Sequence, residues 1–204
     1  MLTKSFQNDM SFAISDGNNA SFLEGVLQKF SQRQFDETYD DGTEPSLKAR
    51  LIGLLATCPN MESRFKMTSE LPVSGGKYRL DIYLKSLNQE VSKLFEVKSI
   101  PIYWLDPGHF GRKGLNDIQS KEYVSKKIKD YKTEELLQLP LNQKMAAKWG
   151  TNYATVGDYI QNGRNQIRKY LQHVKNDTNE KDHCPIGYLV WAVGMMSIHV
   201  EYFE

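Results

Sequence analysis

The chain has 204 residues, 40% hydrophobic and 25% charged, and its 26 Lys and Arg nearly balance 25 Asp and Glu for a net charge of +1. That length can bury a full core as a single domain, residues 1–204, and the composition excludes a disordered, collagen-like or disulfide-stapled chain. The only cysteines, Cys58 and Cys184, read as reduced thiols, and no Cys/His spacing resembles a zinc site.

Residues 1–20 read as polar, with a turn at Asp16-Gly17-Asn18-Asn19. Ser21 caps a short helix over Phe22–Gln34, with Phe22, Val26, Leu27 and Phe30 on one side. With the acidic loop that follows (Asp36, Glu37, Asp40, Asp41), it forms an N-terminal extension, residues 1–43. Glu44-Pro45-Ser46 opens a second helix, its proline at a tolerated first-turn position. Leu47, Leu51, Leu54 and Leu55 are spaced for one buried face, and Cys58-Pro59-Asn60 ends the helix.

Three strands are predicted next. The first covers Arg64–Val73, broken by Pro72 and the Ser74-Gly75-Gly76 turn. The second and third are Lys77–Leu84 and Val91–Lys98. Pairing them as a hairpin about Asn88-Gln89 sets Asp81 opposite Glu96 and Arg79 opposite Lys98, all on one face. Leu80, Ile82 and Leu84 form an apolar row, and Phe95 and Val97 point away from Glu96 and Lys98.

Residues 100–155 are too long for a simple connection and read as a basic inserted segment. It holds Pro101, Asp106-Pro107-Gly108, Gly111 and a lysine-rich helix over Ser120–Leu139 that Pro140 stops. Tyr103, Trp104, His109, Phe110, Arg112 and Lys113 suit either a flap over nucleic acid or, for Trp104 and Phe110, packing in the core. A helix over Val156–Lys175 follows, with the stripe Val156, Ile160, Ile167, Leu171 and Val174. Two strands close the chain, Ile186–Val193 and Ser197–Phe203, the first apolar on both faces as a covered central strand requires.

Two carboxylates beside a lysine suit a divalent ion with a cationic helper, the chemistry of phosphodiester hydrolysis. A surface ladder of Asp81, Glu96, Lys98 and Arg79 is the competing reading. A covered sheet argues against it, because buried carboxylates are costly. Charge is also uneven: residues 112–175 hold 13 Lys and Arg against 6 Asp and Glu, leaving the rest of the chain net acidic. Such a basic half is a footprint for a polyanion or a set of solvated helix faces. His109, His173, His183 and His199 have no mutual spacing that demands a role.

Asp81 and Glu96-Val97-Lys98, with the order helix, three strands, helix, two strands, resemble the PD-(D/E)XK nuclease superfamily. Leu80 stands where that pattern often has proline. The resemblance implies an α/β fold: a restriction-endonuclease-like αβββαβ core, a mixed sheet flanked by helices, with a helical insertion after the third strand. It implies a metal-dependent nuclease acting on nucleic acid, DNA ahead of RNA. Asp81, Glu96, the Val97 carbonyl and Glu44 would hold Mg2+ or Mn2+, with Glu24 as a weaker substitute for Glu44. Lys98 would orient water or neutralise developing charge. Gln166-Ile167-Arg168-Lys169-Tyr170 resembles the family's Gln-x-x-x-Tyr pattern and would line the cleft through Gln166 and Tyr170. Arg112, Lys113, Lys126, Lys127, Arg164, Arg168, Lys169 and Tyr170 are the expected nucleic-acid contacts, with Lys175 on the same stripe as Arg164 and Arg168. An inactive nucleic-acid-binding module on the same fold and a protein-interaction domain are the alternatives, and a homodimer is left open. Met1–Lys4 leads into polar sequence without a signal-like apolar region, and no stretch reaches the length of a membrane span, so the expected setting is intracellular, cytoplasmic or nuclear.

Overall fold

The computed structural model describes residues 4–15, 20–35, 43–73, 78–88, 91–148, 152–176, 185–194 and 197–204. The elements in order are α1 (Lys4–Ser15), α2 (Ala20–Phe35), α3 (Glu44–Ala56), α4 (Met61–Arg64), β1 (Phe65–Val73), β2 (Tyr78–Ser86), β3 (Lys93–Ile100), α5 (Ile118–Ile128), α6 (Thr133–Leu137), α7 (Gln143–Lys148), α8 (Val156–Asn176), β4 (Ile186–Val193) and β5 (Ser197–Phe203). Two short 3-10 turns, Ile102–Trp104 and Pro107–Phe110, lie between β3 and α5. Cys184, His183, Asp36, Glu37, Asp40, Asp41, Lys77, Gln89 of the hairpin turn, the Asp16–Asn19 and Ser74–Gly76 turns and the Phe30 side chain fall outside the described residues.

The five strands form one mixed α/β sheet in the order β1-β2-β3-β4-β5, with β3 and β4 parallel and every other neighbour antiparallel. The apolar pattern of the central strands explains the layering. β3 and β4 are buried throughout, so helices must cover both faces. On one face Ile82, Leu84, Phe95, Val97, Tyr188, Val190 and Ala192 pack beneath α1, α2 and α3. On the other, Tyr83 and Leu94 meet Ile167, Leu171 and Val174 of α8. There too, Leu189, Trp191 and Val193 meet Val124, Ile128, Leu136, Val156 and Ile160.

Five expectations are corrected. α2 begins at Ala20, so Ser21 lies inside its first turn and does not cap it. Residues 4–15 form α1, whose Phe6, Met10, Ala13 and Ile14 are buried at helical spacing. The lysine-rich helix is two helices: Asp117 accepts from the Ser120 N–H at 2.7 Å to start α5 earlier, and Lys132 N–H donates to Glu135 at 2.7 Å where α6 begins anew. Pro72 does not break β1, since it pairs opposite Arg79 on an edge strand, where a missing N–H is tolerated. Leu80 packs with Val73, Tyr83 and α8, apart from Ile82 and Leu84. That change of company coincides with a gap in the β1–β2 ladder between Ser69–Ile82 and Leu71–Leu80, where Glu70 stands at φ 55°.

The inserted segment docks on the sheet. Ile102, Leu105, Phe110, Leu115 and Leu141 are buried in the cluster under α8. Asp106 N–H donates to the Pro140 carbonyl at 2.9 Å, and Asn142 N–H to that of Trp104 at 2.7 Å. Of the two aromatics with a core alternative, Phe110 is buried and Trp104 packs half-buried against the same cluster.

Candidate active site

Pairing of β2 with β3 keeps the register expected from the alternation over Ile82–Phe95, Tyr83–Leu94 and Leu84–Lys93, and ends just before Asp81 and Glu96, so the expected pairing of Arg79 with Lys98 is not made. The backbone ladder stops there. Val97 N–H donates to Asp81 Oδ2 at 2.8 Å, so a side chain takes the place of a strand carbonyl and the strands part at Asp81. Asp81, Glu96 and Lys98 are all buried, at 7%, 2% and 7% exposure.

Lys98 Nζ donates to Glu96 Oε1 at 2.7 Å and lies 3.7 Å from Glu44 Oε2. Glu44 Oε2 also accepts from the Tyr159 hydroxyl at 2.8 Å. This bond links α8 to the start of α3 beside Lys98. Of the two candidate helix glutamates, Glu44 is therefore the one at the site. Glu24 instead accepts from Val200 N–H at 2.8 Å, beside His199.

On the other side Asp81 Oδ1 accepts from Lys48 Nζ at 3.2 Å, and Lys48 also pairs with Glu70. Four carboxylates thus gather as two pairs, each about one ammonium. Glu96 Oε2 is buried without a hydrogen-bond partner. With no protein group to compensate it, a charged oxygen at this depth is costly unless something else binds it.

Titration follows from this geometry. Burial pushes the Glu96 carboxyl up to about 8, against the pull of Lys98 and with help from Asp81. Burial lowers the Lys98 pKa, but Glu96 and Glu44 together outweigh it and hold the ammonium above its usual range. Lys48 behaves likewise: burial lowers its pKa, and Glu70 and Asp81 more than compensate. Burial and then Glu44 raise Tyr159, so its hydroxyl remains a donor at physiological pH.

No protein-family model matches this sequence, and no curated protein matches it significantly. Among the described residues no three His, Cys, Asp or Glu are gathered into a ready-made metal cage. The donor set nonetheless suits a hard divalent ion: carboxylate oxygens, one of them buried and unpaired, with two ammoniums as counter-charges.

The helix α8 contributes a row toward β3. Tyr159 reaches Glu44. A Cβ on Gly163 would stand 3.0 Å from Lys98 Cγ, so glycine lets the helix approach the lysine stem. Gln166 follows, its Oε1 buried without a partner. Tyr170 requires correction as a nucleic-acid contact: its ring is buried, and its hydroxyl donates to the Arg79 carbonyl at 2.8 Å. Arg164 is likewise committed, with Nε and Nη2 donating to Glu201 at 2.7 and 2.8 Å. Arg168 lies over the Phe203 ring at 5.1 Å with its side chain exposed, and Lys169 is exposed beside it.

On the insertion Arg112, Lys113, Lys126 and Lys127 are exposed. Arg112 and Lys127 lie over the Tyr123 ring, at 4.3 and 5.3 Å. Cys58 is a free buried thiol, pushed up to about 11 by burial and so protonated at neutral pH. Among the described residues no helix is long and apolar enough to cross a membrane.

Sequence reasoning missed Tyr159, Lys48 and Glu70. Tyr159, Gly163, Gln166 and Tyr170 share helical spacing, so the face was present in the pattern. Lys48 is one turn after Glu44 and was visible in the same way. Glu70 had no local signal.

Proposed function

We propose that the chain is a metal-dependent nuclease with a PD-(D/E)XK-type site, hydrolysing phosphodiester bonds in nucleic acid, DNA ahead of RNA. The observation that carries this reading is the buried, unpaired Oε2 of Glu96, beside Lys98 and across from Asp81 where the hairpin ladder opens. The element order α3, β1 to β3, α8, β4 supports the restriction-endonuclease-like core.

Asp81, Glu96, the Val97 carbonyl and Glu44 are the residues that would hold Mg2+ or Mn2+. When bound, such an ion polarises the phosphate and lowers the pKa of water. The protein's own groups do the rest. Lys98, cationic and anchored by Glu96 and Glu44, neutralises charge that develops on the phosphate oxygens. Tyr159 fixes Glu44 by a donated hydrogen bond, orienting its other oxygen. Gln166 supplies a buried amide for an incoming polar group. Exposed Arg112, Lys113, Lys126, Lys127, Arg168 and Lys169 supply sequence-independent phosphate contacts.

A second reading is a binding-only module on the same fold. It is favoured by the lysines that already occupy both carboxylate pairs. Labelled single- and double-stranded DNA and RNA, incubated with Mg2+, Mn2+ or chelator, separate the two. The nuclease reading expects metal-dependent cleavage that Asp81→Ala, Glu96→Ala and Lys98→Ala each abolish while far-ultraviolet circular dichroism is unchanged. Salt-sensitive binding without cleavage under any metal would establish the module.

A further inference from the structure

Asp81 has no free oxygen. Oδ2 accepts from Val97 N–H at 2.8 Å and Oδ1 from Lys48 Nζ at 3.2 Å. The Val97 bond stitches the opened hairpin and belongs to the fold. The Lys48 contact is different in kind: a flexible ammonium on α3, with a side chain 20% exposed, that also pairs with Glu70. Glu70 holds that second anchor at φ 55°, a left-handed conformation that disfavours a residue with a Cβ. Strain of this kind persists only where the surroundings impose it, and it clusters at functional sites. Here it leaves Glu70 unpaired in the β1–β2 ladder, opposite Asp81, with its carboxylate on Lys48.

Resting on the nuclease reading above, we infer that Lys48 is a resident counter-cation that a divalent ion displaces from Asp81. In the absence of metal its ammonium neutralises Asp81, so that the two carboxylate pairs are each held by one lysine. When Asp81 Oδ1 turns to a metal, Lys48 keeps Glu70 as its partner and stays at the rim of the site as a second positive charge for phosphate. Lys48 and Glu70 are therefore positioning residues with opposite effects on metal affinity. Lys48 competes for Asp81, and Glu70 draws the competitor away.

The test is Mn2+ binding by calorimetry and by electron paramagnetic resonance of free Mn2+, without nucleic acid, on the full chain. Lys48→Met is expected to bind Mn2+ roughly fivefold tighter or more, the effect of removing one unit charge a few ångströms from the ion at a protein surface. Glu70→Gln is expected to bind more weakly, and Lys66→Met, an exposed charge on the same strand, to match wild type. Thermal unfolding in chelator checks folding, and Lys48→Gln replaces the methionine variant if that one does not fold. Equal or weaker Mn2+ affinity in the Lys48 variant, with wild type binding well, overturns this inference and leaves the nuclease reading standing. Wild type that binds no Mn2+ overturns both.

Discussion

Glu96→Gln replaces a buried ionisable group with a neutral one of the same shape, and its effect on stability should depend on pH in a defined way. The Glu96 carboxyl has its pKa raised from 4.5 to about 8 in the folded protein by burial. The folded state therefore binds a proton that the unfolded state has released between those values, and stability falls as pH rises through that window. Each pH unit costs about 1.4 kcal/mol, so across the window wild type should lose on the order of 3–5 kcal/mol relative to Glu96→Gln in chelator. Lys98 has its pKa raised as well, which keeps it cationic throughout this range and adds a loss only at alkaline pH. Denaturant unfolding at pH 5, 6, 7 and 8 measures the difference, because other titrating groups cancel between the two proteins. Mg2+ should reverse the loss at pH 8, by about 2.7 kcal/mol at a hundredfold excess over Kd, and give little at pH 5, where the carboxyl is protonated. Parallel stability profiles for the two proteins from pH 5 to 8 would refute the placement of Glu96 as a buried, inadequately compensated carboxyl.

Other substitutions probe neighbouring parts. Gly163→Ala sets a Cβ 2.8 Å from Leu189 Cδ1 and 3.0 Å from Lys98 Cγ. Its helix-propensity gain of about 1 kcal/mol partly offsets the crowding, so denaturation midpoints should move little, while cleavage falls by roughly tenfold to a hundredfold as Lys98 is displaced. Tyr159→Phe removes the donor to Glu44 and should lower stability by about 1 kcal/mol with a larger loss of cleavage than of nucleic-acid binding, read from separate kcat and KM values. Replacing Lys126, Lys127 and Lys129 with Glu should weaken binding to every sequence and flatten its dependence on salt, with Mn2+ affinity unchanged; an unaltered salt slope would assign the footprint to Arg168 and Lys169.

The sheet was legible because its signals are local. Alternation in β2 and β3 specified the register, since a slip by one residue would have turned Glu96 to the face covered by α1, α2 and α3, where Phe95 and Val97 pack. The unbroken apolar run Tyr188–Val193 specified a strand covered on both faces. α1 was missed although Phe6, Met10, Ala13 and Ile14 carry helical spacing, because Asn8, Asp9 and Ser11 between them dominate the composition. At the site, Asp81, Glu96 and Lys98 came from the hairpin pattern, and Glu44 only from what the resemblance to the PD-(D/E)XK superfamily implies. Lys48 and Glu70 meet across elements, 22 residues apart in sequence, and Glu70 adopts a conformation that its residue type does not announce. Tyr170 shows the limit of face-level reasoning. Its side of α8 was right, but only the depth of packing against Val73 and Leu80 reveals that the ring is core and not cleft.

A divalent ion shared by Asp81 and Glu96 beside Lys98 would be seen by anomalous scattering from crystals soaked in Mn2+ near pH 8, where Glu96 gives up its proton. The expected result is one strong peak within coordination distance of Glu96 Oε2 and Asp81 Oδ1, with Lys48 Nζ withdrawn toward Glu70, and no such peak in Glu96→Gln. A Mn2+ peak elsewhere, or none at this position while Lys48 remains on Asp81, would contradict it.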